Sequence, residues 1–389
     1  MIEDSLGRVE ARWVWGLALT GIGHAAVDFI RRDLLDAASS AESRITVLAA
    51  WAMTLVCLAV LIMTFIRSTV LPRSTSAKVL VAAAGYWTLL GVPTVVNVGR
   101  WWFGNETTQP LSTSMLAMSV VSFATGAMAA VFLWRCVRQW LNLSLHQSGF
   151  PTNDPDNFRA DQSSGRFAVS NTAWMVAGAW IAATWIANVT YGFLADWNVV
   201  PSAQIPLAPG WNGWLRSLAG GLFAGPFEEI LFAAIPVMLF AAARSKSGRA
   251  KPLQDFGART VVMVIATSAL LRGLGHIYYG NNSSPGQHLP FWSSLVPGGI
   301  AAITWGALWG GVAVWLFLRF GRLLPLVIAH SAQDCWVNIA HMPDPLMAAV
   351  GTFLIAVLIL CWVFVMMAKD LRSGRQKKLA REVATVTTR

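Results

Sequence analysis

The sequence predicts an all-α fold, a polytopic transmembrane helix bundle with about nine or ten spanning helices. Two properties of the whole chain lead to this prediction. Hydrophobic residues make up 55% of the 389 residues and charged residues only 12%, with a mean hydropathy of +0.53, which is far more apolar than an ordinary soluble domain. In addition, apolar windows of about 20 residues, enough to cross a hydrocarbon core about 30 Å thick, recur along nearly the whole chain.

Nine windows share a strongly apolar composition and a length close to that of a bilayer span: 45–66, 79–98, 115–134, 172–194, 215–243, 260–279, 298–320, 323–340 and 346–367. An earlier window, 13–30, is shorter and more polar. If this window crosses the bilayer, the bundle has ten spans and both chain ends lie on one side. If it lies in the membrane interface, the bundle has nine spans. We favour ten.

The Lys and Arg residues support these windows because they cluster in alternate loops. The basic clusters lie near positions 67–78, 135–166, 244–259 and 319–322, whereas the intervening loops carry almost none. The positive-inside rule places such clusters in the cytoplasm. Membrane orientation therefore explains the net charge of +10, and no nucleic-acid partner is predicted. We expect a multi-pass protein of the cell membrane, plasma or inner, with a cytoplasmic C-terminus.

A polar segment divides the chain. Residues 141–171 are rich in Asp, Asn, Ser, Pro and Gly, a composition typical of a linker. The predicted organisation is an N-terminal helical block at 1–140, this cytoplasmic linker, a core that carries the chemistry at 172–368, and a basic cytoplasmic tail at 369–389. The four cysteines have no CxxC or paired spacing, so neither a disulfide framework nor a thiolate metal site is predicted.

Two adjacent carboxylates, Glu228 and Glu229, lie inside the apolar stretch "GPFEEILFAAIP". Charged side chains at bilayer depth are energetically costly, so they usually face the bundle interior and mark a functional site. Neighbouring residues on a helix point about 100° apart. One glutamate is therefore free to act on a substrate while the other holds the scaffold.

Two further predicted spans carry polar pairs at a spacing of four residues. The stretch "RGLGHIYYG" contains Arg272 and His276, and "AHSAQDCW" contains His330 and Asp334. Residues four apart share one face of a helix, so each span presents a two-residue polar stripe. Because isolated charges in lipid are unfavourable, we expect the stripes and the glutamates to meet in one cavity, within about 10 Å of each other.

The order of these motifs resembles the CAAX protease and bacteriocin-processing family of intramembrane proteases, the CPBP or Abi family. The family's first motif, EExxxR, is matched by Glu228 and Glu229. Its second motif, FxxxH, is matched at His276, and its third, HxxxN/D, at His330 and Asp334. Each motif alone is weak. Three motifs in the family's order, on three apolar segments, make a more specific signal.

The chain departs from the family's pattern at two positions. Ala233 stands where the first motif ends in Arg, and Arg272 stands where the second motif begins with an aromatic residue. A buried carboxylate without a cation is unfavourable. We therefore predict that Arg272, one turn before His276, supplies the cation for Glu229 that the family's motif takes from the missing arginine.

The resemblance implies an intramembrane endopeptidase that hydrolyses a peptide bond of a membrane-associated peptide or protein substrate. By carry-over from the family, Glu228 is the general base for water and Glu229 a structural or assisting carboxylate. His276 shares in water activation or binds a metal, and His330 with Asp334 stabilises the oxyanion. A zinc ion held by Glu228, His276 and His330 would make the chain a metalloprotease, but a metal-free glutamate mechanism fits the residues equally well.

Two other functions remain open at this stage. A non-catalytic membrane scaffold or immunity protein of the same family would explain the missing arginine. A small-solute or proton-coupled transporter would also need buried acids and histidines, although no inverted repeat is visible. The second HxxxD pair of the chain, His24 and Asp28 in "GHAAVDF", is interpreted as the polar face of a packing helix, because no third partner lies near it in sequence.

Overall fold

The computed structural model describes a set of segments that covers most of the predicted helices: residues 9–31, 41–67, 74–96, 111–143, 177–186, 189–190, 192–193, 197, 210–243, 257–276, 309–318, 323–340, 342–354 and 357. The predicted linker from residue 144 onward and the tail at 369–389 lie outside these residues. Their position relative to the membrane therefore stays a prediction.

The regular elements in the described segments are helices, and no strand occurs in them. In chain order they are α1 (Ala11–Phe29), α2 (Ala41–Ile66), α3 (Thr75–Tyr86), α4 (Thr113–Trp140), α5 (Ala177–Ile186), α6, α7 (Ala258–Gly275), α8 (Trp309–Leu318), α9 (Leu324–Ala340) and α10 (Pro345–Leu354). Helix α6 begins as Gly210–Ala224, passes through a π-helical segment at Gly225–Ala234 and ends as Ile235–Ala243. The predicted all-α bundle is confirmed.

Five helical stretches are long and apolar enough to cross a bilayer: Thr46–Ile66, Thr75–Val96, Thr113–Trp140, Gly210–Phe240 and Ala258–Gly275. Each overlaps one of the predicted windows. Helices α5, α8 and α10 are shorter apolar helices, and they lie within the windows 172–194, 298–320 and 346–367, which the structure describes only in part. The chain is a multi-pass membrane protein.

Helix α1, the weakest predicted span, lies against the long helix α4. The ring of Trp13 packs 6.1 Å from that of Phe132, and further along α1 the Nδ1–H of His24 donates to the carbonyl oxygen of Ser122 at 3.0 Å. From the first of these contacts to the second, the residue number rises in α1 and falls in α4, so the two helices are antiparallel. Helix α1 is not among the five stretches that are long and apolar enough to cross a bilayer, so the crossing of window 13–30 stays a prediction.

The bundle holds α6 and α9 in very close contact at two glycines. A Cβ atom added at Gly225 would overlap the backbone carbonyl oxygen of Val327 and lie 2.5 Å from Ser331 Oγ. A Cβ added at Gly221 would lie 3.0 Å from the backbone and side chain of Asp334. The absence of side chains at these glycines lets the two helices approach, and it sets the distance between the glutamates on α6 and the polar stripe of α9.

We expect Gly225→Ala to destabilise the bundle by about 1–3 kcal/mol, because the added methyl group meets the rigid backbone of α9 and overpacking of this kind has that magnitude. Thermal unfolding of the purified chain in detergent measures the effect. The control is Gly178→Ala in α5, where nothing lies within 4 Å of the added atom. Equal unfolding midpoints for the two variants would mean that α6 and α9 separate freely.

Candidate active site

Glu229, in the π-helical segment of α6, is fully buried and makes two strong polar contacts through one oxygen. Its Oε1 accepts a hydrogen bond from Arg272 Nη2 on α7 at 2.9 Å and one from His330 Nδ1 on α9 at 2.8 Å. One carboxylate therefore ties three helices together. A charged group with such contacts stabilises the bundle and fixes the ring orientation of His330.

Arg272 is fully buried, and its surroundings show why it can remain charged there. Besides its ion pair with Glu229, its guanidinium carbon lies 4.4 Å from the ring centroid of Trp309 and 5.1 Å from that of Phe232. Cation–π contacts of this kind stabilise a desolvated guanidinium. The predicted pairing of Arg272 with a glutamate is confirmed, while Ala233 leaves only a buried methyl group at the position of the family's arginine.

Glu228 points in a different direction from its neighbour and lines a cavity. His276 Nε2 lies 3.4 Å from Glu228 Oε1, and His330 Nε2 lies 3.9 Å from Glu228 Oε2. The Nδ1–H of His276 donates to the carbonyl oxygen of Arg272 at 2.9 Å, so the other ring nitrogen faces the carboxylate. Glu228, His276 and His330 thus converge at distances far below the predicted 10 Å.

Asp334 lies one turn beyond His330 on α9, with its Oδ2 3.4 Å from His330 Nε2. Its side chain is about a third exposed, whereas His330 is fully buried. Among the residues that the structure describes, no hydrogen bond reaches Glu228 Oε2 or His330 Nε2, and the same holds in this site for Glu229 Oε2 and for Arg272 Nε and Nη1. Buried polar atoms are rarely left unpaired, so the pair formed by Glu228 Oε2 and His330 Nε2 is suited to hold a water molecule or a substrate carbonyl group.

Two tryptophans that the sequence analysis did not single out pack against the histidines. The ring centroid of Trp309 on α8 lies 4.9 Å from that of His330 and 5.7 Å from that of His276, and Trp180 on α5 lies 5.0 Å from His330. The chain has 20 tryptophans, and in a membrane protein tryptophan usually indicates the interfacial belt. No local sequence signal separates Trp180 and Trp309 from that belt.

The cavity beside Glu228 has a volume of about 230 Å³ and reaches residues far apart in sequence. Its lining includes Glu228 and His276 as well as His24, Asp28 and Arg31 of the α1 region. The interpretation of His24 and Asp28 as the polar face of a packing helix agrees with the structure, because both side chains are buried and contact Ser122 of α4. Their partners are Ser122 of the distant helix α4 and Arg31, which lies beyond the end of α1.

The residues that could hold a metal ion are the same three, Glu228, His276 and His330. Within the described segments, no group of three or more His, Cys, Asp or Glu side chains is arranged to hold a metal ion. The chemistry proposed for Glu228, His276 and His330 uses no metal ion.

Comparison with known families agrees with this geometry. Residues 210–336 match the family model described as type II CAAX prenyl endopeptidase Rce1-like. No curated protein and no solved structure matches the chain significantly. The match covers less than half of the chain and extends from α6 to α9, the helices that carry the glutamates, both histidines and Asp334. The stretch from α6 to α9 is thus similar to the Rce1-like type II CAAX prenyl endopeptidases, and helices α1 to α5 precede this stretch.

Proposed function

We propose that the chain is an intramembrane endopeptidase in which Glu228 activates water to hydrolyse a peptide bond of a membrane-associated peptide or protein. The observation that carries the proposal is the position of Glu228, which lines the cavity and lies 3.4 Å from His276 Nε2 and 3.9 Å from His330 Nε2. A carboxylate beside a cavity suits a general base. An imidazole across from it suits an oxyanion.

The reaction then needs only groups that the chain supplies. Glu228 takes a proton from water while the Nε2 of His276 accepts a hydrogen bond from the same water. The hydroxide bonds to the carbonyl carbon, and the carbonyl oxygen becomes an oxyanion that accepts a hydrogen bond from a doubly protonated His330. Asp334 helps to hold the charge on that imidazolium. Glu228 finally passes its proton to the amide nitrogen as the C–N bond breaks, which gives a carboxylic acid and an amine.

The ion pair of Arg272 with Glu229 favours the catalytic proposal over the non-catalytic one. The missing arginine of the first motif was the reason to consider a scaffold or immunity protein. Because Arg272 lies 2.9 Å from Glu229, the carboxylate has a cation after all, and the support for His330 is intact. In this proposal Glu229 and Arg272 position the site and do not contact the substrate.

The proposal is tested by hydrolysis in labelled water. The full chain, reconstituted in lipid nanodiscs, is incubated with a library of apolar peptides in H₂¹⁸O, and new peptide termini are identified by mass spectrometry. We expect products whose new carboxyl group carries one ¹⁸O atom, because water is the nucleophile. The Glu228→Gln chain is the control. Products formed equally by both chains, or no products at all, would contradict the proposal.

We further propose that the protein resides in the cell membrane with its basic tail in the cytoplasm, the side on which Lys and Arg clusters are retained. The test places a single cysteine in the tail and adds a thiol reagent outside intact cells. Labelling of that cysteine would contradict this orientation.

A further inference from the structure

Three arginines and two tryptophans form a cluster where the first residues of α1 meet the last two turns of α4. The guanidinium carbon of Arg135 lies 5.0 Å from the ring centroid of Trp13 and 4.9 Å from that of Trp134. That of Arg12 lies 4.6 Å from the Trp13 ring. That of Arg138 lies 5.9 Å from the Trp134 ring. The two indole rings thus hold three positive charges close together, in a part of the chain outside the family match.

The carboxylates of the described segments do not balance this charge. The one that contacts the cluster belongs to Glu10, whose Oε2 lies 2.6 Å from Arg12 Nε and whose Oε1 accepts a hydrogen bond from Gln139 Nε2. No ion pair within these segments reaches Arg135 or Arg138, and the Nε–H of Arg138 is buried without an acceptor. Neighbouring like charges on a helix repel each other, and buried donors are rarely left unpaired. The cluster therefore favours the binding of an anion.

The cluster lies at the depth of lipid headgroups. Helix α4 has 28 residues, so at 1.5 Å per residue it is about 42 Å long. This length matches a bilayer with both of its headgroup layers, about 40–45 Å, and exceeds the hydrocarbon core of about 30 Å. Tryptophan side chains are also typical of the membrane interface. The anions that a basic cluster meets at this depth are the phosphates of lipids.

The geometry of Arg135 and Arg138 suits a phosphate group. The two residues are three positions apart and share one face of α4, and both side chains are partly exposed. A guanidinium lying on an aromatic ring uses its flat face for the cation–π contact, whereas its N–H groups point outward in its plane. These N–H groups can bind two phosphate oxygens at once. Basic pockets between membrane helices bind anionic headgroups in this way.

We propose that Arg135 and Arg138, supported by Trp13 and Trp134, bind the phosphate of an anionic phospholipid. Because Arg135 contacts a tryptophan of each helix, the bound lipid stabilises the contact between α1 and α4. The inference goes beyond the proposed function and does not depend on it, since none of these residues belongs to the candidate active site.

Native mass spectrometry of the purified full chain in detergent measures this binding. The probes are dioleoylphosphatidylglycerol, which is anionic, and dioleoylphosphatidylcholine, which has the same acyl chains and phosphate but no net charge. We expect the anionic lipid to bind at least about tenfold more tightly, because the choline group repels the arginines. Glycerol 3-phosphate, added at an equal concentration, separates a lipid site from a site for free phosphate. We expect it to leave the lipid bound.

Two double variants assign the preference to the proposed residues. Arg135→Gln with Arg138→Gln should remove the preference for the anionic lipid and leave the affinity for the zwitterionic lipid unchanged. Lysine at both positions keeps the charge without the planar guanidinium and should retain part of the preference. The matched control is Arg67→Gln with Arg259→Gln, which removes the same charge from two exposed side chains and should behave as wild type.

Three results would overturn the inference. Equal affinity of the wild-type chain for the two lipids would do so, even if the double Gln variant failed to fold. Displacement of the lipid by an equal concentration of glycerol 3-phosphate would assign the cluster to a soluble phosphate instead. An equal loss of preference in the control variant would show that net charge, and not this cluster, attracts the lipid.

Discussion

Glu228→Gln should abolish peptide hydrolysis and leave the bundle folded, whereas the same substitution at the next residue, Glu229→Gln, should unfold it. We expect kcat to fall by at least about 10²-fold in Glu228→Gln, because an amide cannot take a proton from water. Its unfolding midpoint should stay near that of the wild type, because Glu228 is the carboxylate that faces the cavity.

For Glu229→Gln the physical reason is different. The substitution leaves the guanidinium of Arg272, which is fully buried, without its carboxylate. Removing one partner of a buried ion pair lowers the free energy of unfolding by about 3–5 kcal/mol, which is a large fraction of the stability of a typical domain. Thermal unfolding and a hydrolysis assay on the two variants separate the effects. A midpoint lowered equally in both variants would make Glu228 a structural residue and remove the base from the proposed mechanism.

The parts of this architecture that depend on local composition could be predicted from the sequence. Long apolar windows are a direct consequence of bilayer thickness, so the spans at α2, α3, α4, α6 and α7 were visible. The polar stripes on α7 and α9 were visible too, because a spacing of four residues on a helix places side chains on one face. The pairing of Arg272 with Glu229 followed from a simple requirement, since a buried carboxylate needs a cation.

Features that depend on tertiary packing could not be predicted in this way. The π-helical segment that carries both glutamates depends on a backbone hydrogen-bond pattern, seen where Ile235 N–H donates to the carbonyl of Ile230, and π-helices are too rare to be expected from composition. His24 meets Ser122 across 98 positions of sequence, so its role at the cavity had no local signal. The same holds for Trp309, whose contacts with both histidines depend on how α8 packs.

The π-helical segment also bears on the second large prediction, a repair of the family's first motif. Arg272→Phe restores the aromatic residue that usually opens the second motif, but it removes the cation from Glu229. We expect a loss of about 3–5 kcal/mol in the free energy of unfolding. Ala233→Arg should restore much of the lost free energy of unfolding. Position 233 follows Glu229 by about one helical turn, so an arginine there can reach the carboxylate.

A double-mutant cycle on unfolding free energies measures this repair. The coupling energy between Ala233→Arg and Arg272→Phe should be well above about 0.5 kcal/mol, because the effects of mutations at independent sites add to within about that value. The matched control places the arginine at Leu231, which is also buried, because a position two residues after Glu229 lies on the opposite face of the helix and should not rescue Arg272→Phe. Rescue by both arginines would show that any added charge suffices. Strict additivity at 233 would contradict the idea that Arg272 compensates for the missing arginine of the first motif. Rescue at 233 alone would instead establish that Glu229 requires one cation, which either α6 or α7 can supply.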